Sequence, residues 1–510
     1  MKRKQLVLNI GANVLSVLIG LFISFFLTPF IVQNIGKEAY SFVPISNNFA
    51  SYLSIMTIAL TSMTSRFITM ELYKNNVDSA NEYLSTSFYT NIVVAIFTGI
   101  LSILIIFFLE KIINIPFILI SDVRLLFIFI LSAFVINVST TTFSVAAFCT
   151  NRLDISSLVS ISGSIARVIT IFILFRYFEP KIYYIGISVL VVVIIQGIMN
   201  FVLGRKILPV LHISIRKVKA KIIYELFNSG VWNSFNQLSY VLLTGLDLVI
   251  ANIMISASAS GILAISKTAP LALQTLISVL PNTFNPYLTI LYAKNNKPFF
   301  LKELFYILKF CAILIGIPIA SFIVLSSNFF QLWVPSVVNN QMIWLSILTM
   351  VSMVASFSVM PLIFIFAITN RLKWPSIAIF TTGILNIIVV FGLLKTTNFG
   401  LYAIAGVSSF IEIFRNLLFV PMYASHCLQV NKFYFFKFIS RSLSYFAILI
   451  IVYYGITKLL KIDTWSSLLL VICLMIIVGI FIGYYFMLNN IEKEKFVYII
   501  RSIIKQRGKG

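Results

Sequence analysis

Apolar stretches of similar length recur along the whole chain, each bounded by charged residues, Asn, Gly or Pro. A helix needs roughly 20 apolar residues to cross the hydrocarbon core of a bilayer, and these stretches are long enough to do so. The pattern therefore predicts an all-α integral membrane protein with about fourteen transmembrane helices and short loops. The predicted cores lie near residues 7–32, 42–70, 84–109, 125–149, 155–178, 182–204, 223–254, 261–292, 304–328, 341–369, 375–394, 400–425, 437–457 and 465–488.

The composition excludes a water-soluble fold. Hydrophobic residues make up 60% of the sequence and charged residues 10%, whereas charged residues make up about 25% of an average soluble domain. The formal net charge is +23. With the N-terminus inside, the predicted inner loops and termini hold 25 Lys and Arg residues and the outer loops hold 8. This asymmetry follows the positive-inside rule, so we expect cytoplasmic termini, contact with anionic membrane lipids and no nucleic-acid partner.

An internal repeat is visible at an offset of 219 residues. The tetrapeptide Thr-Asn-Arg-Leu occurs at 150–153 and again at 369–372, each time at the end of the fourth predicted helix of a series. The same offset pairs Asn9 with Asn228, Gly11 with Gly230, Leu72 with Leu291 and Tyr73 with Tyr292. Because the matches share one offset and fall at corresponding places in the helix pattern, they indicate a duplication.

The repeat predicts the domain organisation. We expect an N-terminal six-helix lobe at 1–204, a basic cytoplasmic linker at 205–221 and a C-terminal six-helix lobe at 222–428. Two extra helices and a basic, amphipathic cytoplasmic tail occupy 429–510. Each lobe holds an even number of helices, so the two lobes are parallel. Transporters built from such repeats bind their substrate near the midplane between the repeats and alternate access by rocking them.

Cations inside the predicted helices are candidate binding residues, because a charge in a membrane span costs roughly 3 kcal/mol by insertion scales. Arg167 lies near the middle of the fifth helix, where it could bind an anion or pair with a carboxylate or carbonyl group to hold helices together. Arg66 lies near the cytoplasmic end of the second helix and could face a cavity or reach the lipid headgroups. Lys267 in the eighth helix maps onto Asn48 in the second, so we expect both to face a shared cavity.

Three further charged residues lie inside predicted helices. Asp247 in the seventh helix is a candidate for coupling transport to a proton or sodium gradient, or a static counter-ion to one of the cations. Glu412 and Arg415 are neighbours on one face of the twelfth helix and predict a structural ion pair. The three cations named above outnumber Asp247, which favours an anionic substrate such as a pyrophosphate. We predict neither a cofactor nor a metal site.

Several segments of the first lobe carry a resemblance to a known superfamily. They are Asn9-Ile10-Gly11-Ala12-Asn13, Phe25-Phe26-Leu27-Thr28-Pro29-Phe30-Ile31-Val32, Glu38-Ala39-Tyr40-Ser41-Phe42-Val43-Pro44, Asn47-Asn48-Phe49 and Ser65-Arg66-Phe67-Ile68-Thr69. On these segments the chain resembles the multidrug/oligosaccharidyl-lipid/polysaccharide exporter superfamily, and within it the polysaccharide flippases of the Wzx type. The resemblance covers about residues 1–428, and the two final helices resemble the extra helices of the lipid II flippases.

The resemblance implies a flippase that carries an undecaprenyl-pyrophosphate-linked oligosaccharide from the inner to the outer leaflet of the bacterial cytoplasmic membrane. The oligosaccharide would serve a surface polysaccharide, such as the O-antigen of lipopolysaccharide or a capsule. A polysaccharide polymerase and chain-length machinery are the partners that it implies. Two alternatives within the superfamily stay open, a lipid II flippase and a cation-coupled multidrug antiporter, the second of which needs a more acidic cavity.

Other classes of function have less support in the residues. An enzyme that acts on the same glycolipid usually needs a sizeable periplasmic loop, whereas the predicted outer loops are short. The sequence also contains no Ser-His-Asp set, metal cluster or glycine-rich phosphate loop. A lipid scaffold without transport would not need two duplicated lobes with charged centres. The sequence therefore predicts a transporter and not an enzyme.

Overall fold

The structure is a computed structural model that describes residues 3–294, 296–369 and 371–494. These residues form helices joined by short connections, and no β-strand occurs among them, which confirms the predicted all-α fold class. The first helices are α1 (Arg3–Tyr73), α2 (Val77–Phe107), α3 (Leu109–Ile112), α4 (Ile120–Thr140), α5 (Val145–Cys149), α6 (Leu153–Tyr177), α7 (Tyr183–Ile207), α8 (Ala220–Tyr240) and α9 (Asp247–Met254). The remaining helices are α10 (Ala257–Ala293), α11 (Lys297–Trp333), α12 (Asn340–Ser356), α13 (Met360–Ile368), α14 (Lys373–Thr396), α15 (Leu401–Phe414), α16 (Val420–Cys427), α17 (Phe436–Leu459) and α18 (Trp465–Met487).

Short segments of other helical types join several of these helices. The π-helical segments Val241–Gly245 and Arg415–Phe419 connect α8 to α9 and α15 to α16. The 3-10 segments among the described residues are Phe117–Leu119, Thr141–Ser144 and Ile215–Lys217. A π-helical turn breaks the regular backbone hydrogen bonding and often lies at a functional site. The predicted seventh and twelfth helices are therefore interrupted inside the membrane-spanning part of the chain.

Within the described ranges, eleven helices are long and apolar enough to cross a membrane, or up to thirteen if each of two bent pairs counts as one. The bent pairs are α8 with α9, at 42°, and α12 with α13, at 52°. The first two predicted cores lie in the single helix α1, which is kinked at Gly36 with a φ of +82°. Glycine adopts this φ without the steric cost of a Cβ. The protein is a multi-pass membrane protein, and the number of fourteen spans stays a prediction.

The chain divides into two compact units, which are described separately. Unit 1 comprises residues 1–265 and 379–394, and unit 2 comprises residues 266–378 and 395–510. The predicted seventh helix belongs to unit 1, because α8 packs along the second half of α1. The lobe boundaries inferred from the sequence repeat stay a prediction.

In unit 1, the predicted basic linker is held against the beginning of α2. The Asn81 side chain accepts a hydrogen bond from the His212 backbone N–H at 2.6 Å. The Ser85 hydroxyl accepts one from the Ser214 backbone N–H at 3.0 Å. Two ion pairs join the same elements, Lys217 with Asp78 at 3.0 Å and Lys219 with Glu82 at 2.5 Å. The segment between α7 and α8 is therefore an ordered strap on α2.

In unit 2, the two final helices pack against α11. The buried Tyr445 hydroxyl donates to the Gly479 carbonyl at 3.0 Å, and the Tyr453 hydroxyl donates to the Met475 carbonyl at 2.6 Å. A buried tyrosine hydroxyl without a partner would be costly, so these bonds stabilise the pairing of α17 with α18. The helices α17 and α18 thus form a hairpin with α11 beside it.

The chain after α18 is also tied to α11. Lys309 of α11 forms an ion pair with Glu492 at 2.8 Å, and both side chains are mostly buried. The Asn489 backbone N–H donates to the same carboxylate at 2.8 Å. The predicted amphipathic tail continues through 495–510, which lies outside the described residues.

Candidate functional site

One face of α1 after the Gly36 kink carries polar residues along most of its length. We call it the polar face of α1, and it comprises Tyr40, Asn47, Asn48, Ser51, Ser62 and Arg66. At 100° per residue, these six residues fall on the same side of the helix. Asn47, Ser62 and Arg66 are exposed, and the other three are half-buried. Exposed polar side chains on a membrane helix are costly against hydrocarbon, so the face indicates a water-filled cavity.

A second polar face lies on α6. Ser156, Ser160 and Ser164 recur at helical spacing and lead along the helix to Arg167. Ser160 is exposed and the other three are half-buried. The serine hydroxyls donate to carbonyl groups of their own helix, Ser160 to Ser156 at 3.1 Å and Ser164 to Ser160 at 3.0 Å. Arg167 is therefore the charged residue of this serine face of α6.

Other small residues of α6 serve helix packing. A Cβ at Gly163 would lie 3.0 Å from the side-chain carbon Cδ of Gln196, which shows how closely α7 approaches at that point. The Ser162 hydroxyl lies 3.0 Å from the sulfur of Met199, also on α7. The small residues beside Arg167 therefore have two separate roles, close contact with α7 and the polar face.

Arg167 has no compensating group among the residues that the structure describes. Its Nε atom is buried and makes no hydrogen bond, and no ion pair of this residue occurs in the described part of the chain. The Tyr40 hydroxyl lies near enough to interact with the guanidinium electrostatically. Since α1 packs against α6, Tyr40 and Arg167 place the polar face of α1 near the serine face of α6. A buried charged donor without a partner costs roughly 1–3 kcal/mol or more, which favours binding of an external anion.

Asp247 lies at the point where the seventh predicted helix is interrupted. It is the first residue of α9, separated from the π-helical segment by Leu246 alone, and its side chain is buried. The Tyr52 hydroxyl donates to the Gly245 carbonyl at 2.7 Å and interacts electrostatically with Asp247. Tyr52 follows Asn48 by one helical turn, so Asp247 is beside the polar face of α1. Its role in ion coupling stays a prediction.

The remaining candidates have different surroundings. Arg66 is exposed in the last turns of α1, a position that fits both cavity contact and reach to the headgroups. Lys267 is half-buried in the part of α10 that belongs to unit 2, and its predicted cavity with Asn48 of unit 1 stays a prediction. Glu412 and Arg415 of unit 2 form an ion pair at 3.4 Å.

Two tyrosines of unit 1 belong to the site although the sequence did not single them out. Tyr40 is beside Arg167, and Tyr52 is beside Asp247. Both lie whole helical turns from Asn48, so their spacing in α1 could have identified them as neighbours of Asn48 on the helix surface. Which charged group each tyrosine approaches depends on the packing of α6 and α9, which local spacing does not contain.

Comparisons with known proteins agree with this architecture. The family described as "Polysaccharide biosynthesis protein" matches residues 6–289. The membrane protein EpsK of Bacillus subtilis (strain 168), described as uncharacterized, is 29% identical over 463 residues, which is 91% of each chain. The lipid II flippase MurJ in an inward closed conformation has a TM-score of 0.64 at 16% identity, covering 94% of this chain and 99% of that one. An inward-facing multidrug resistance MATE family transporter has a TM-score of 0.62 at 13% identity, covering 81% and 96%. At these low sequence identities, the two structural matches show a similar fold and nothing further.

Proposed function

Because this chain belongs to the polysaccharide biosynthesis protein family, we propose that it is a flippase for an undecaprenyl-pyrophosphate-linked oligosaccharide. It moves this lipid from the inner to the outer leaflet of the bacterial cytoplasmic membrane, for synthesis of a surface polysaccharide. The observation that carries the proposal is the half-buried Arg167, whose buried Nε atom makes no hydrogen bond among the described residues and which ends a row of serines.

The chemistry of the two polar faces suits the two parts of such a headgroup. A guanidinium binds phosphate oxygens through paired N–H donors, and the interaction strengthens where water is scarce. Asn47 and Asn48 of α1 offer amide donors and acceptors that match sugar hydroxyl groups. The polyprenyl tail stays in the lipid, since hydrocarbon gains nothing from a polar cavity. Alternating access of the two repeat lobes would move the headgroup.

We also propose that Asp247 couples this movement to an ion gradient. A buried carboxylate at an interrupted helix can bind a proton or a sodium ion in one conformation and release it in the other. Asp247→Asn keeps the size of the side chain and removes its charge. We expect the variant to lose the dependence of flipping on an imposed proton or sodium gradient. Equal gradient dependence in the variant and the wild type would refute the coupling role.

The main test measures transport in proteoliposomes. Labelled undecaprenyl-pyrophosphate oligosaccharide is supplied to one leaflet, and its appearance in the other is followed for the wild type, Arg167→Ala and Arg167→Lys. Loss of a charged hydrogen bond corresponds to roughly 1.5–3 kcal/mol, so Arg167→Ala should slow flipping by about tenfold to a hundredfold. Arg167→Lys should retain part of the activity as a point charge. Arg176→Ala, at the exposed end of the same helix, is the matched control.

The outcomes separate the proposal from its alternatives. Flipping by the wild type and by Arg176→Ala but not by Arg167→Ala would support the proposal. Flipping of labelled lipid II in preference to the oligosaccharide lipid would assign the lipid II reaction. Efflux of organic cations without lipid flipping would assign a drug antiporter. Equal flipping by the wild type and Arg167→Ala, with both folded, would refute the role of the guanidinium.

A further inference from the structure

Two adjoining cavities lie at one end of unit 2. The larger has a volume of 580 Å³ and the smaller a volume of 240 Å³, and both are lined by Arg371 and Gln429. The larger cavity is also lined by Lys373 and His426, and the smaller by Lys297. These residues come from the adjacent ends of α11, α13, α14 and α16. We call the two cavities together the basic pocket.

The basic pocket is lined by cationic groups. Among the described residues that line the two cavities there is no Asp or Glu. In the described part of the chain, neither Arg371 nor Lys373 forms an ion pair. The Lys297 ammonium donates to the Gln429 backbone carbonyl at 2.9 Å, which holds this cation at the rim of the smaller cavity. Uncompensated cations around a concave surface attract a dense anion more strongly than scattered surface lysines do.

The repeat shows that this charge arrangement is specific to unit 2. At the corresponding place in unit 1, Arg152 forms an ion pair with Asp154 at 2.9 Å. The hydrogen bond from Arg152 to this carboxylate raises the pKa of Arg152. The offset of 219 residues pairs Arg152 with Arg371 and Asp154 with Lys373. The carboxylate that neutralises the arginine in unit 1 is thus replaced by a second cation in unit 2.

In unit 1, other side chains make hydrogen bonds to the turn that holds Arg152 and Asp154. Asp154 accepts a hydrogen bond from Gln5 at 2.9 Å, and the Asn9 side chain donates to the Asn151 carbonyl at 2.9 Å. These contacts satisfy the polar groups of unit 1 internally. The same turn in unit 2 opens onto the basic pocket instead. The positive-inside rule explains basic residues in cytoplasmic loops, but it does not require a cation in place of a carboxylate or an open cavity. These two features together point to a ligand.

We propose that the basic pocket binds a phosphate-bearing anion. Arg371 would bind phosphate oxygens through paired N–H donors, with Lys373 and Lys297 as point charges. The same chemistry would recognise the headgroup of an anionic phospholipid or a soluble phosphate compound. This site is additional to the Arg167 site of unit 1 and does not depend on the proposed flipping reaction.

Aromatic residues in the larger cavity fit a ligand at the membrane surface. Trp374 and Tyr423 line this cavity, and the Trp374 side chain is exposed. Tyr423 is stacked on Phe419 with ring centroids 5.4 Å apart, and its hydroxyl donates to the Arg371 carbonyl at 3.3 Å. Tyrosine and tryptophan are enriched at the level of lipid headgroups, where one end of the ring is apolar and the other is wet. The pocket can therefore accommodate a phosphate with an apolar group beside it.

The test compares two phosphate sources on the full-length chain in neutral detergent. Phosphatidylglycerol supplies the anionic headgroup, with phosphatidylcholine as the zwitterionic reference of zero net charge. Inorganic pyrophosphate supplies the soluble anion. The rise in unfolding temperature with concentration yields an apparent Kd for each. Lys373→Asp reproduces the arrangement of unit 1, and Lys373→Gln is a milder second variant. Lys432→Ala removes an exposed cation that lines neither cavity and is the matched control.

We expect Lys373→Asp to weaken binding by roughly tenfold or more, since the substitution removes one cation from the pocket and its carboxylate also neutralises Arg371. Lys373→Gln should weaken it less, and Lys432→Ala should bind as the wild type does. If Lys373→Asp loses stabilisation by phosphatidylglycerol but keeps stabilisation by pyrophosphate, the site binds lipid headgroups. If Lys373→Asp loses stabilisation by both probes, the site also binds a soluble phosphate. Equal binding by the wild type and both Lys373 variants would overturn the proposal. So would the absence of any stabilisation of the wild type by either probe.

Discussion

The close contact between α8 and the second half of α1 predicts that a larger residue at Gly230 destabilises the protein. A Cβ at Gly230 would lie 2.7 Å from the carbonyl carbon of Ala59 and closer still to its oxygen. The Ser234 hydroxyl, one turn further along α8, donates to the Ile55 carbonyl at 2.6 Å. Small residues one turn apart allow two membrane helices to approach in this way. Gly230→Ala should therefore force the two backbones apart.

The size of the effect follows from the distances. Ordinary Cβ contacts begin at 3.4 Å, so the Ala59 carbonyl carbon must move by about 0.7 Å or more. Backbone atoms cannot rotate away as a flexible side chain does, and overpacking of this kind costs roughly 1–3 kcal/mol. Loss of the Ser234 hydrogen bond adds about 1 kcal/mol. The better helix propensity of alanine offsets about 1 kcal/mol. We expect a net loss of about 1–3 kcal/mol.

The repeat supplies a matched control. Gly11 corresponds to Gly230 by the offset of 219 residues, and a Cβ at Gly11 would meet no atom within 4 Å. Gly11→Ala should therefore leave stability unchanged or raise it by up to about 1 kcal/mol through helix propensity. The assay is thermal unfolding of the purified chain in detergent, followed by intrinsic fluorescence and by size-exclusion recovery after heating. An unfolding temperature of Gly230→Ala equal to that of Gly11→Ala would refute the reasoning.

Three further predictions concern contacts in the two units. Gly479→Ala crowds α11 and the hairpin of α17 and α18, so its unfolding temperature should fall, whereas Gly455→Ala has open space and should match the wild type. Asn81→Ala removes the partner of the His212 backbone N–H and should speed tryptic cleavage of the strap by about fivefold or more; an unchanged rate would contradict the strap. Asn9→Ala breaks the bonds between α1 and the beginning of α6 and should lower stability by about 1–3 kcal/mol in the same unfolding assay. A stability equal to that of the wild type would show that water replaces these bonds.

Much of the fold could be predicted because the membrane imposes a simple length rule. Every predicted apolar core overlaps a described helix or a run of consecutive helical segments, and the all-α class is confirmed. The kink at Gly36 and the π-helical segments were not predicted. Apolar runs continue through such irregularities, because the lipid selects for hydrophobic side chains whatever the local hydrogen-bond pattern. Hydropathy therefore locates spans better than it locates their breaks.

The candidate site was predictable only as a set of charged residues. Hydropathy singled out Arg167 and Asp247, since each interrupts an apolar run. It did not reveal that Tyr40 approaches the first and Tyr52 the second. These neighbours come from other helices, and sequence spacing describes only one helix at a time. The same limit applied to Gly230, whose contact with α1 depends on packing.

The sequence by itself determined the membrane class and the helical fold, because each is expressed in composition or run length, and its repeated offset indicated a duplication. Tertiary structure decided which charged residues have partners within the described chain. Arg152 and Arg371 occupy the same repeat position, yet one is neutralised by Asp154 and the other lines an open cavity. The free energy of a buried or confined charge depends on every group within a few ångströms, and folding alone brings those groups together.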